Sequence, residues 1–124
     1  KELLAFCTRS FTSCNPKVIQ HAAFAMFNYM LCWECESKQA LQAELVAALK
    51  ALDEVLGDRS LDADTLLAVV LCECRLLYKN SGLVLWLEDS FKLFFKETHD
   101  ALRAATPHAN VKEAVADVTS MVDD

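Results

Sequence analysis

Glycine and proline are almost missing from this chain, with two of each in 124 residues. A many-turned β fold needs such residues at its turns, and a disordered segment is poor in hydrophobic ones. Here 54% of the residues are hydrophobic, so a helical domain is expected instead. Long apolar runs are missing too. The stretch 16–33 comes closest to the roughly 20 residues that span a membrane, but Lys17, Gln20, His21 and Asn28 interrupt it. There is no signal-peptide pattern. Positive charge is scarce: 12 Lys and Arg stand against 18 Asp and Glu, for a net charge of −6. Nucleic acid and anionic membrane both attract basic surfaces, so neither is an expected partner.

Signs of catalysis are few. The only glycines, Gly57 and Gly82, make no phosphate-cradling loop. His21, His99 and His108 are scattered, and none has a serine or cysteine beside it in a nucleophile setting. The carboxylate pairs Glu34/Glu36 and Asp53/Glu54 fall near helix ends, where such pairs are usually solvated. The expectation is a non-enzyme with no catalytic residues, no metal and no cofactor.

Six cysteines are present: Cys7, Cys14, Cys32, Cys35, Cys72 and Cys74. Most fall within helical apolar pattern, in a chain long enough to fold without staples. They read as reduced packing residues in a cytoplasmic or nuclear protein. Cys32 and Cys35 form a C-x-x-C, but at the end of a helical stretch and without a surrounding βαβ pattern. A thiol redox or zinc module built on that pair is the least favoured alternative.

What the chain does have is helical periodicity. Residues 2–11 read as a first helix with Leu3, Leu4, Phe6 and Cys7 on its apolar side. Asn15 and Pro16 then open a second helix, to about residue 34–36, as N-cap and first helical position. It is apolar nearly all round, which calls for neighbours on several sides. A third helix runs from Ser37 to about Leu56, with its stripe through Leu41, Leu45, Leu49, Leu52 and Leu56 and with Gly57 as its stop. A fourth, capped by Ser60 or Asp62, reaches about Asn80 and is again largely apolar. Helical pattern returns from Leu83 to about Ala105, with a bend near Glu88 and Asp89 and an apolar side of Leu87, Phe91, Phe94, Phe95 and Leu102. Asn110 and Glu113 resemble a capping box for a last helix, to about Val122.

The expected fold is a single all-α domain over residues 1–124, of five to seven helices. Two buried helices (16–34 and 62–80) alternate with amphipathic ones. The spacing of about 45 residues matches an armadillo or HEAT-type α-solenoid. On the second helix Lys17, His21, Phe24 and Asn28 follow each other at steps of three and four and share one face. An asparagine there has both a donor and an acceptor for the backbone of an extended peptide. Arg75 and Lys79 on the fourth helix would add a cationic wall. These six residues are the candidate peptide-binding set.

The segment KVIQHAAFAMFNYML, the amphipathic 37–56 helix and DADTLLAVVLCECRLL together resemble the PUL domain. This is the armadillo-like C-terminal module of the phospholipase A-two-activating protein family, and the likeness would make this chain its C-terminal half, a fragment of a longer domain. The resemblance implies a non-catalytic α-solenoid that binds the acidic C-terminal tail of the valosin-containing AAA ATPase in ubiquitin-dependent protein handling. This chain departs from the family at Thr65-Leu66-Leu67, where members carry an arginine. A generic armadillo or HEAT scaffold with another partner is the alternative. A homodimer through the N-terminal face, at Leu3, Leu4 and Phe6, is a further expectation.

Overall fold

A computed structural model describes residues 2–13, 15–31, 42–57, 61–80 and 82–122. Among them are six α-helices and no strand. They are α1 (Glu2–Ser10), α2 (Pro16–Leu31), α3 (Gln42–Val55), α4 (Ala63–Lys79), α5 (Asp89–Ala105) and α6 (Ala109–Val122). The all-α reading holds. No helix among the described residues is long and apolar enough to cross a membrane.

The helix ends follow local chemistry. Asn15 caps α2: its Oδ1 accepts from Lys17 N at 2.9 Å, and its carbonyl accepts from Ile19 N. Asp62 is the N-cap of α4, but its carboxylate accepts the Thr65 hydroxyl rather than a backbone N–H. Thr65 is buried, so this bond satisfies its hydroxyl where water cannot. The hydrogen bond also holds the Asp62 carboxyl below its ordinary range.

Two expected boundaries change, and one expected stop is made differently. The stretch 83–105 is not one helix. A 3₁₀ turn (Leu83–Trp86) precedes α5, and Leu87 and Glu88 are extended between them. The last helix starts before the expected capping box, because the His108 carbonyl already accepts from Lys112 N. Asn110 therefore sits exposed in the first turn, and Thr106 Oγ1 accepts from His108 N instead. Gly57 does follow α3, but no described residue has a positive φ, so the left-handed freedom of glycine is not used there. The tail of α3 closes tightly instead, Gly57 N donating to Glu54 O at 3.1 Å.

Helix α4 is the centre of the packing. It packs against α2, α6 and α3. Helix α1 packs on α2 and α3, α3 also touches the 3₁₀ turn, and α5 packs on α6. One core runs through all of them, including Leu4, Ala23, Met26, Leu45, Leu49, Leu52, Val69, Val70, Phe95 and Val115. Ala22 and Ala23 on α2 are small enough to let a neighbouring helix approach closely, and α2–α4 is the most extensive helix contact. Leu4 is buried in this core, so it cannot form the dimer face expected of it. Phe6 and Phe94, which the helical pattern places on apolar sides, are exposed, and so is Leu71 of α4.

Candidate functional site

Of the expected peptide-binding residues, Arg75 alone lines the groove shared by α2, α4 and α6. Lys17, His21, Phe24 and Asn28 are all exposed along α2. Asn28 is thus no buried amide in need of a partner, and its polarity is explained by water. Arg75 and Lys79 are half-buried, on the flank of α4 whose deeper positions are Ala68 and Cys72.

These residues are not brought together as one site. The groove on this face has a volume of about 450 Å³ and is lined by Phe27, Leu71, Cys74, Arg75, Tyr78 and Met121. The Arg75 guanidinium lies 4.8 Å from the centre of the Phe27 ring, a cation–π contact. Phe27 lies three residues beyond Phe24, so the groove is the α4 side of the stripe rather than the stripe itself. Sequence reading missed Phe27, Leu71 and Tyr78 because they look like core. Leu71 and Tyr78 are 38% and 70% exposed, and a spacing of seven residues places them one above the other on α4.

The groove is electrically lopsided. Arg75 stands on its α2 side. On the α6 side the Cys74 thiol donates to the Ala114 carbonyl at 3.7 Å. Burial, then the charges of Glu73 and Asp117, push that thiol up to about 12. A carboxylate entering the groove is therefore drawn toward Arg75 and away from Asp117.

A second constellation lies under this face and was not expected. Asp53 of α3, Glu73 of α4 and His99 of α5 meet in the core with side chains 0% exposed. His99 Nε2 lies 2.8 Å from Glu73 Oε1, and Nδ1 lies 2.8 Å from the Phe95 carbonyl. A carbonyl only accepts, so Nδ1 carries the proton. Asp53 Oδ1 is 3.5 Å from Nδ1. The imidazole also stacks on the Phe95 ring, with centroids 4.0 Å apart and planes at 24°.

Burial dominates the titration of all three. It raises Asp53, with help from the Glu73 charge and against the pull of His99, to about 7. It raises Glu73, while the charge and hydrogen bond of His99 act the other way. Burial alone would lower His99. Glu73, the Phe95 carbonyl and Asp53 outweigh it, and His99 ends above its ordinary value.

This corrects the reading of Asp53 as a solvated helix-end carboxylate and of His99 as an isolated histidine. A signal was available. Asp53 stands four residues after Leu49, His99 four after Phe95 and three before Leu102, and Glu73 four after Val69 and three before Leu76. Each is a polar residue inside its own helix's apolar stripe. Among the described residues these three are the group able to hold a metal ion, and the core gives them no opening for a substrate.

The C-x-x-C of Cys32 and Cys35 lies outside the described residues. Cys7, Cys72 and Cys74 are free thiols, and burial raises the pKa of each, which keeps them protonated and inert. No protein-family model, no curated protein and no solved structure matches this chain.

Proposed function

We propose that this chain is a non-catalytic protein-interaction domain that binds an extended acidic peptide across the α2–α4–α6 face. The observation that carries this reading is the groove of about 450 Å³ with the Arg75 guanidinium held over Phe27. An aromatic ring under a guanidinium orients its planar N–H fork, which suits a carboxylate. Leu71, Tyr78 and Met121 supply apolar walls for neighbouring peptide side chains.

The packing order supports an armadillo-like build. The pairs α1/α2, α3/α4 and α5/α6 follow one another, with α2, α4 and α6 adjacent. The resemblance of the α2 and α4 segments to the PUL domain supports the same reading. It names the source of the peptide as the C-terminal tail of a valosin-containing-type AAA ATPase. The groove residues carry the cationic role at Arg75, since Thr65 stands buried near the point where that family has an arginine.

The test is a fluorescence-anisotropy titration with a short acidic peptide ending in a free carboxylate. Binding is expected to weaken with added salt and to be lost in Arg75→Glu. Equal binding of a peptide with lysines in place of its acidic residues would overturn the proposal. If acidic peptides bind generally but the ATPase tail does not, the groove stands and the partner is another acidic chain end.

A further inference from the structure

We propose that Asp53, Glu73 and His99 form a buried site for one divalent transition-metal ion, zinc by the nature of the donors. The ion would join α3, α4 and α5 through His99 Nε2 and one oxygen each of Glu73 and Asp53.

The donor atoms already lie close, one from each residue and all within 4.8 Å of one another. The 2.8 Å between Nε2 and Oε1 is the tightest of these contacts. Metal bonds of about 2.1 Å in a tetrahedron set ligands about 3.4 Å apart, so an ion needs only about half an ångström of opening there. Packed helices accommodate that by side-chain rotation.

The imidazole is prepared for such a role. Its Nδ1–H donates to the Phe95 carbonyl, and its face is held against the Phe95 ring. This fixes Nδ1 as a donor, so the proton shared between Nε2 and Glu73 Oε1 is the one an incoming ion would replace. A second ring nitrogen tied to a backbone carbonyl is the usual support for a metal-ligating histidine.

The carboxylates then lack what a cation would supply. Asp53 Oδ1, Asp53 Oδ2 and Glu73 Oε2 are buried with no hydrogen-bond partner. Buried polar atoms left without partners are costly, and three in one cluster are rare in a folded core. Two carboxylates and a neutral imidazole sum to −2, which one divalent ion cancels. Protons can neutralise the cluster as well, but the donor beside Asp53 is His99 Nδ1 at 3.5 Å, and its proton already goes to the Phe95 carbonyl. Zinc suits a mixed nitrogen and oxygen set, whereas calcium and magnesium take oxygen alone.

The experiment is to strip the purified chain with EDTA, then titrate Zn²⁺ and, separately, Co²⁺. Expected results are one ion per chain by elemental analysis, a rise in melting temperature, and a visible cobalt spectrum of low coordination number. Asp53→Asn keeps the side chain's shape and should weaken uptake beyond the roughly 10–100-fold that a supporting residue is worth. Glu73→Gln serves as the second variant if Asp53→Asn does not fold by circular dichroism. Because six cysteines could also take zinc, the same titration on Cys32→Ser/Cys35→Ser protein should leave the uptake intact. A melting temperature indifferent to both zinc and EDTA would overturn the site. So would uptake that survives Asp53→Asn and Glu73→Gln but is lost with the two cysteines. Neither result touches the peptide groove, whose residues are separate.

Discussion

Glu73 and Arg75 lie two residues apart on α4 and bear opposite charges, yet they live in different solvents. Helical geometry turns each residue about 100° from the last. That places Glu73 inward, 0% exposed against His99, and Arg75 on the flank over Phe27. Between them Cys74 faces α6. The inward region is fully buried and short of partners. The outward one is wet, apolar in part and open. Charge inside must be cancelled atom by atom, because the low-dielectric core magnifies every unpaired group. Charge outside is screened and free to meet a ligand. One helix thus serves as the wall of two different sites, and the difference between them is set by rotation alone.

Breaking the inner region should cost most. Glu73→Ala leaves the His99 imidazole without its partner, and removing one member of a buried pair costs about 3–5 kcal/mol. Urea unfolding of EDTA-treated protein at neutral pH measures it. A loss below about 1 kcal/mol would mean that water reaches the cluster. Slightly smaller effects belong to apolar contacts, and here the two regions diverge again. Leu49→Ala, at a position 0% exposed, should cost about 2–5 kcal/mol. Leu71→Ala, 38% exposed in the groove, should stay within about 1 kcal/mol and instead weaken peptide binding. Similar losses at both sites would erase the distinction between core and groove.

The inner cluster also predicts a pH dependence for the metal-free chain. Asp53 rises from its ordinary 3.8 to about 7, and Glu73 and His99 are raised as well. Over that window the native state holds protons that the unfolded chain has released. Stability is therefore full below about pH 4 on account of Asp53 and falls as pH rises toward about 7, with His99 extending the fall upward. Thermal melts in EDTA across this range should show it, and Asp53→Asn should flatten the acidic part. A melting temperature that climbs with pH would contradict the buried arrangement. The smallest effect is expected outside: Arg75→Ala should lower stability by no more than about 1 kcal/mol, the worth of an exposed cation–π contact, while abolishing most acidic-peptide affinity. Stability loss without affinity loss would make Arg75 a packing residue.

Local physics is legible in the order of the residues. The scarcity of glycine and proline and the repeated steps of three and four specify helices, and the start of α2 at Pro16 and the span of α4 follow from capping and apolar pattern. Lys17, His21 and Asn28 of the α2 stripe are exposed as polar residues require, and Phe24 is exposed with them. Where local reading failed, two elements competed for one residue. Phe94 and Phe95 are equally apolar, but only Phe95 lies on the side of α5 that other helices cover, so Phe94 is left in water. Leu83 to Trp86 carry helical residues, yet the chain takes a 3₁₀ turn that buries Leu83 beside α3.

The helical character of the described residues is written in the order of the amino acids, because the composition and the period of the apolar residues suit helices that bury one side. The placing of Asp53, Glu73 and His99 each within an apolar stripe is written there too, since spacing along a helix is a local property. Packing sets the rest: the three stripes face one another, Phe27 rather than Phe24 borders the groove, and Arg75 rests on it. Those outcomes depend on which helix faces are turned together, and contacts between residues far apart in the chain are set by the packing of whole elements, not by any single segment's pattern.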